Sequence, residues 1–268
     1  DANSTAVNEG TIDVDGEKSS GMLAKVAGKV ENKKDITVKK ENGVGIFVSD
    51  TGKGENTAPN GKILLKNKET VGIFAKDNGN TYSALNAGII SLENPTGKDY
   101  TSLIGMFAQA EAGKTASVQN TGNIDVNTKK SVGMYAKNDV ANNVAAVDLQ
   151  NTGTININNE SSAGIYAPKA TVSKVGTIKL KDSEASDGSS AVYISKGGKV
   201  SDTSTATINL GKTNQNRVAY YVNGAGSALA GANIGKISGY GVGVYLEGTS
   251  TSDVAKLTAT SPDLDFTK

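Results

Sequence analysis

Apolar and polar positions alternate along this chain in a short pattern that returns nine times. A well-preserved copy reads Val-Gly-Ile-Phe-Ala-Lys from Val71, and the variants keep a small residue followed by two large apolar or aromatic ones. Successive copies are 24 to 33 residues apart. A repeat of that length indicates stacked supersecondary units, each of which contacts mainly its neighbours. The small residues are Gly21, Gly45, Gly72, Gly105, Gly133, Gly164, Ala191, Ala219 and Gly243.

A second pattern precedes the first in each repeat: in most copies it is glycine, any residue and isoleucine, with apolar and polar positions alternating afterwards. The copy from Gly122 reads Gly-Asn-Ile-Asp-Val. In five repeats, the small residue of the first pattern lies 11 positions after the start of the second pattern, as Gly133 does after Gly122. Alternation with β-branched residues predicts a strand that is buried on one face. A third, weaker strand is predicted before most of these turns, as in Ala-Ser-Val-Gln-Asn from Ala116.

The parity of the strands predicts which side chains form the core. We expect the isoleucines of the second pattern, such as Ile124 and Ile155, to point inward. In the first pattern, Val71, Ile73 and Ala75 share one parity and are predicted to be buried. The other parity, which includes Gly72, Phe74 and Lys76, is predicted to face outward.

Three strands and three turns per repeat predict an all-β fold, a right-handed parallel β-helix of about nine three-strand coils. The alternative, a β-propeller, needs blades of about 40 residues, which are longer than these repeats. We expect residues 1–268 to form one continuous solenoid. The chain begins Asp-Ala-Asn-Ser-Thr without an initiator methionine, so we expect it to be a fragment of a longer protein.

Composition narrows the chemistry that this chain can carry. It has 268 residues with no Cys, no His and no Trp, and its formal net charge is +1. Serine–histidine triads, cysteine nucleophiles and histidine metal sites are therefore excluded, and nothing indicates a nucleic-acid partner. The loop with Asp182, Glu184 and Asp187 lacks the ligand spacing of a calcium loop, so we read it as solvated. We predict no enzyme activity, no catalytic residue, no metal and no cofactor.

Large apolar and aromatic residues occupy one equivalent position in every repeat. On the outward parity they would form a column along one side of the solenoid. The structural interpretation is a self-stacked ladder that stabilises the array, and the functional alternative is a docking strip for a sugar or protein. We favour the structural interpretation. The column consists of Leu23, Phe47, Phe74, Phe107, Tyr135, Tyr166, Tyr193, Tyr221 and Tyr245.

Two further sets of residues stand out at turns and in loops. Asn8, Asn86, Asn120 and Asn151 recur at strand corners, where asparagine tolerates left-handed turns and can bond to its equivalent one coil away. Loops on a rigid scaffold often carry recognition. Tyr82, Tyr100 and Arg217, the only arginine, are therefore candidate contact residues for a partner.

The residues Asn-Thr-Gly-x-Ile at Asn120 and Asn151, followed by Val-Gly-Met-Tyr-Ala from Val132 and Ala-Gly-Ile-Tyr-Ala from Ala163, resemble the passenger repeats of autotransporters. In particular they resemble the very large fusobacterial outer-membrane adhesins of the RadD type. The resemblance implies export by type V secretion, a place on the bacterial surface, and attachment in the full-length protein to an outer-membrane β-barrel. It also implies protein or glycan receptors on host cells or partner bacteria. We expect a monomer.

Three functions therefore remain open at this point. The favoured one is a segment of an adhesin passenger that mediates or scaffolds attachment. The second is a β-helical polysaccharide-active enzyme, a lyase, a hydrolase or a tailspike-like depolymerase. The third is a purely structural stalk that spaces another binding domain.

Overall fold

The structure, a computed structural model, describes residues 4–79, 81–95, 98–140, 143, 146–182, 188–202, 204–212, 216–229, 234–248 and 256–257. These residues contain 28 β-strands and no α-helix. Accordingly, the described part of the chain offers no apolar helix of membrane-spanning length.

The strands form three sheets, and every third strand along the chain joins the same sheet. Sheet A contains β1 (Thr5–Asn8), β4 (Lys29–Asn32), β7 (Lys53–Asn56), β10 (Ala84–Asn86), β13 (Ala116–Asn120), β16 (Val147–Asn151), β19 (Thr171–Lys174), β22 (Lys199–Val200), β25 (Ala228–Leu229) and β28 (Lys256–Leu257). Sheet B contains β2 (Thr11–Val14), β5 (Asp35–Val38), β8 (Lys62–Leu65), β11 (Ile89–Leu92), β14 (Asn123–Val126), β17 (Thr154–Ile157), β20 (Thr177–Leu180), β23 (Thr207–Asn209) and β26 (Lys236–Ser238). Sheet C contains β3 (Ser20–Ala24), β6 (Val44–Ser49), β9 (Val71–Lys76), β12 (Ile104–Ala110), β15 (Val132–Asn138), β18 (Ala163–Pro168), β21 (Ser190–Ser195), β24 (Val218–Asn223) and β27 (Val242–Glu247).

Each strand pairs in parallel with its counterpart one coil away, as β11 does with β8 and β14. Strands β1 to β27 therefore make nine coils of three strands, which we number from the amino-terminal end. The predicted right-handed parallel β-helix is confirmed, and the propeller alternative is wrong. Each repeat forms one coil, because three short strands and the turns between them together account for its 24 to 33 residues.

Isoleucines stacked in register form the central column of the core. Ile63 pairs with Ile90, Ile90 with Ile124, and Ile124 with Ile155, and all four are fully buried. Ile73 is also fully buried, so the three core residues predicted at positions 73, 124 and 155 are confirmed. Because each isoleucine lies on its equivalent in the next coil, the core consists of repeated contacts of one kind rather than one globular centre.

The prediction that Val71 faces inward and Gly72 faces outward is wrong. Val71 is half-buried, whereas Gly72 is buried and directs its Cα hydrogen toward the core. A Cβ atom on Gly72 would lie 2.5 Å from the carbonyl oxygen of Gly105 and 2.8 Å from Cγ2 of Ile90. The strict alternation expected along β9 therefore breaks at the glycine, where the chain passes too close to the next coil to admit a side chain.

Asparagines at the corner between sheets A and B form a continuous hydrogen-bond ladder. Each side-chain Nδ2 donates to Oδ1 of the asparagine in the next coil, over 2.7 to 2.8 Å, through coils one to six. The predicted bonds between coils are confirmed, but none of these residues has a positive φ, so left-handed turns do not explain them. The ladder runs Asn8, Asn32, Asn56, Asn86, Asn120 and Asn151.

Replacing Gly133 by alanine tests the close approach of neighbouring coils in sheet C. The new Cβ would lie 2.6 Å from the carbonyl oxygen of Gly164 and 2.9 Å from Cγ2 of Ile155. We expect the free energy of unfolding to fall by about 1–3 kcal/mol, the usual cost of overpacking. Gly10→Ala is the matched control, because a Cβ there meets nothing within 4 Å. Equal denaturation curves for the two variants would contradict this account.

Candidate functional site

The outward face of sheet C carries the aromatic column as an unbroken ladder of rings. Neighbouring ring centroids are 4.6 to 5.3 Å apart along the whole series from Phe47 to Tyr245. The register places each ring directly over its equivalent, as Phe107 pairs with Tyr135 and Tyr135 with Tyr166. The spacing of the rings matches the ~4.8 Å between paired strands.

The ring planes decide which part of each ring meets solvent. From Phe74 to Tyr193 the rings are stacked with interplanar angles of 14 to 26°. Their faces are therefore covered by the neighbouring rings, and only edges and tyrosine hydroxyls point outward. A sugar ring that stacks on an aromatic needs the free face, so the stacked run offers no such platform.

A half-buried aliphatic column runs beside the rings at the position before the glycine. Val44, Val71, Ile104 and Val132 occupy it in coils two to five. Together, the two columns give sheet C a narrow apolar strip, and Leu23 and Tyr245 at the ends of the ladder are 52% and 43% exposed. The strip can therefore pack against an apolar surface.

Asn78 and Tyr82, which lie between β9 and β10, are held at the outward face of sheet A by hydrogen bonds. Asn78 is buried, and its amide group bonds to both the N–H and the C=O of Ser117 in coil five, over 2.9 Å each. The N–H of Tyr82 donates to Oγ of Ser117 over 3.0 Å. Tyr82 is thereby held over strands that follow it by more than 30 residues.

The hydroxyl of Tyr82 reaches further, to coils six and seven. It donates to the carboxylate of Asp148 and lies 3.2 Å from Oγ of Ser173. The N–H of Ser173 donates to the other oxygen of Asp148 over 3.1 Å. Burial raises the pKa of the Asp148 carboxyl, while the bonds from Tyr82 and Ser173 act in the opposite direction. Burial and the bond to Asp148 raise the pKa of the Tyr82 hydroxyl.

A shallow cleft of about 280 Å³ opens beside Tyr82 on sheet A. We call it the Tyr82 cleft and define it by its lining residues. They come from β4 and β7 on one side and from the segment that leads into β10 on the other. The lining residues are Lys29, Lys53, Gly54, Glu55, Thr81, Tyr82, Ser83 and Leu85.

The other two candidate contact residues lie elsewhere and are less accessible than expected. Tyr100 is half-buried and packs against the hydrophobic core. Arg217 is fully buried, so the expectation that it meets a partner from an exposed loop is wrong. Its guanidinium donates to the carbonyl oxygens of Leu210 and Lys181 over 2.6 and 2.5 Å.

Arg217 follows a ladder of serine hydroxyls at the corner between sheets B and C. Oγ of Ser162 accepts from the N–H of Ser131, and Oγ of Ser189 accepts from the N–H of Ser162, over 3.2 and 3.1 Å. The register of β21 and β24 puts Arg217 next in this series. Its long side chain therefore satisfies carbonyl groups of the corner from inside the coil.

The described residues hold no group of three or more acidic side chains placed to bind a metal ion. Asp182 uses its carboxylate to accept from the N–H of Lys212. Glu184 and Asp187, named with it above, lie outside the described residues.

Sequence reasoning missed Asp148, Asn78 and Ser117 as partners of Tyr82. Alternation along β16 places Asp148 on the outward face, which is the only signal that the sequence contains. The contact between Tyr82 and Asp148 spans 66 residues and depends on the path of an irregular segment. No local pattern encodes that path.

The regular coils, the inward isoleucines and the ladders of like residues define this chain as a parallel β-helix of the kind found in surface passenger domains. Comparison with protein families places it more narrowly. The model of the BigA third pectate lyase-like domain matches residues 1–113 and again residues 110–198, which together cover well over half of the chain. The chain belongs to this family, and the assignment supports an autotransporter-like passenger domain of a bacterial surface protein. Searches of curated proteins and of solved structures found no match.

Removing one ring from the middle of the ladder tests its contribution to stability. Tyr135 lies between Phe107 and Tyr166, with centroids at 5.1 and 5.3 Å. We expect Tyr135→Ala to lower the free energy of unfolding by on the order of 1 kcal/mol through lost burial and stacking. The control is Tyr240→Ala, since Tyr240 is 46% exposed and belongs to no ring pair in the described residues. If both variants melt like the parent chain, the ladder does not stabilise the solenoid.

Asp148 predicts a pH dependence of stability with a definite sign. Because its folded pKa is raised above the ordinary 3.8, the folded chain holds this proton more tightly than the unfolded chain does. Stability should therefore fall as pH rises from that value through the folded pKa, and Asp148→Asn should remove this part of the decline. Thermal melting of both proteins between pH 4 and pH 8 measures the difference. Asp139→Asn, at a side chain that is 47% exposed, is the control; a decline unchanged in Asp148→Asn would contradict the assignment.

Proposed function

We propose that this chain is a segment of a cell-surface autotransporter adhesin passenger that mediates or scaffolds attachment to partner bacteria or host-cell receptors. The observation that carries the proposal is the parallel pairing of nine successive coils, in which the inward isoleucines and the outer column recur from coil to coil. Such a rod holds surface segments at fixed positions far from its point of attachment. The family match supports a surface passenger, and the repeat sequences support a relationship to fusobacterial adhesins exported by type V secretion.

Within this proposal the faces of the rod have different roles. The aromatic ladder serves as a structural spine, because its ring faces are used by neighbouring rings. We assign recognition to segments that leave the regular coils, such as the one bearing Tyr82, which hydrogen bonds to later coils hold in place. The receptor would be a protein or a glycan on the opposing cell.

The enzymatic alternative has one specific observation in its favour. Asp148 is a largely buried carboxyl with a raised pKa, and such groups are frequent at catalytic sites. The family name also contains the words pectate lyase-like. Two observations argue against a catalytic role. Tyr82 and Ser173 both donate hydrogen bonds to the Asp148 carboxylate, and Asp148 is not among the residues that line the Tyr82 cleft. These contacts support a structural tie, and we propose that the chain is not an enzyme.

Direct binding to cells tests the proposal. Beads that carry the 268-residue chain should bind partner bacteria or epithelial cells saturably, and the folded Tyr135→Ala variant should bind equally well. A neighbouring segment of the same passenger on matched beads is the control. Binding to neither cell type would favour the purely structural stalk. In parallel, neutral and acidic polysaccharides are incubated with the chain, and new reducing ends that disappear in Asp148→Asn would establish the enzymatic alternative instead.

A further inference from the structure

The Tyr82 cleft lies at the outward face of sheet A. One wall is formed by strands β4 and β7, which pair in register so that Lys29 lies beside Lys53 and Glu31 beside Glu55. The opposite wall is the segment Thr81 to Ser83, with Leu85 of β10 next to it. The cleft is thus built from three successive coils and one irregular segment.

The two lysines of the cleft differ in their ionic partners. The ammonium of Lys29 bonds to the carboxylate of Glu31, which raises the pKa of Lys29. Lys53 is exposed, and none of the described carboxylates lies within 4.0 Å of its ammonium. Because Glu31 already pairs with the Lys29 ammonium, Lys53 is the lysine of the cleft that can pair with an anionic group of a ligand.

The remaining groups of the cleft are suited to hydroxyl groups and C–H surfaces. Glu55 lies two residues from Lys53 on the same face of β7 and can accept hydrogen bonds from ligand hydroxyls. Thr81 and Ser83 add hydroxyl groups, which donate and accept. Leu85 supplies apolar surface, whereas the ring of Tyr82 extends away from β4 and β7 toward coils six and seven, where its hydroxyl is bonded.

Hydrogen bonds within the chain fix the position of Tyr82 without a ligand. Its N–H bonds to Ser117 and its hydroxyl to Asp148, and its backbone has the left-handed φ of 51°. Unlike the rings from Phe74 to Tyr193, the Tyr82 ring belongs to no stack of rings in the described structure.

We propose that the Tyr82 cleft binds the terminal sugar of a glycan that carries a carboxylate, without cleaving it. Lys53 pairs with the carboxylate, Glu55 accepts from the sugar hydroxyls, and Leu85 packs against the sugar C–H groups. At about 280 Å³ the cleft is smaller than the ~300–1,000 Å³ of pockets for drug-sized ligands, which fits a single terminal residue. This inference rests on the proposed adhesin function and names the ligand class for one of its sites.

Carboxylate-bearing sugars come from two sources, sialic acids and uronic acids, and separate probes distinguish them. The test measures binding of 3′-sialyllactose, digalacturonate and neutral lactose to the 268-residue chain by calorimetry and by saturation-transfer NMR. We expect one or both acidic sugars to bind and lactose to bind at least ten-fold more weakly. Loss of a charge-assisted bond in Lys53→Ala should weaken acidic-sugar binding by about ten-fold or more, with an unchanged melting temperature.

Lys199→Ala is the matched control, because Lys199 is also an exposed outward lysine of sheet A, in coil eight. Loss of binding in Lys53→Ala but not in Lys199→Ala supports the site. Equal loss in both variants would show non-specific attraction and overturn it, as would equal binding of lactose. If the chain adheres to cells but binds neither acidic sugar, this inference fails and the adhesin proposal stands. If it binds neither cells nor sugars, both fail.

Discussion

In-register parallel pairing between successive coils is the constraint on which the rest of this structure depends. Each strand contacts its own equivalent, so a strand side chain meets the side chain at the equivalent position of the next coil, about 4.8 Å along the axis. A residue type that packs well against a copy of itself therefore stabilises the array in each coil where it recurs. Isoleucine in the core, asparagine at one corner and aromatic rings on the outer face all satisfy this condition.

The same constraint explains the positions at which the sequence tolerates little change. Gly72 and Gly105 lie where the backbones of adjacent coils approach each other closely, and a side chain there would meet a carbonyl group. The asparagine ladder ends at Asn151, whose amide donates to the carbonyl of Val175 because coil seven has no asparagine there. The ladder is thus interrupted where the next coil lacks an asparagine at the equivalent position.

Most of the fold was predictable from the sequence, because period-two alternation and the 24-to-33-residue repeat both report local geometry. Inward isoleucines and the bonded asparagines followed from the same pattern. The error at Val71 and Gly72 arose because alternation assumes a uniform strand, whereas close backbone approach breaks it. Arg217 was misjudged because it was assigned to a recognition loop, whereas its guanidinium is buried and bonds to two carbonyl oxygens. Of the candidate site, the sequence identified Tyr82 but not its partners, because an irregular segment brings them together.

The contacts of Tyr82 also bear on how the solenoid assembles. In a simple repeat array each unit couples only to its nearest neighbours, so unfolding can begin at either end and spread one unit at a time. Tyr82 enters coil four but bonds to residues of coils five, six and seven. This adds a coupling between non-adjacent units, which makes the middle of the array a larger cooperative block than its ends. Whichever end of the array folds first, the contacts of Tyr82 can form only after coils four to seven are all in place.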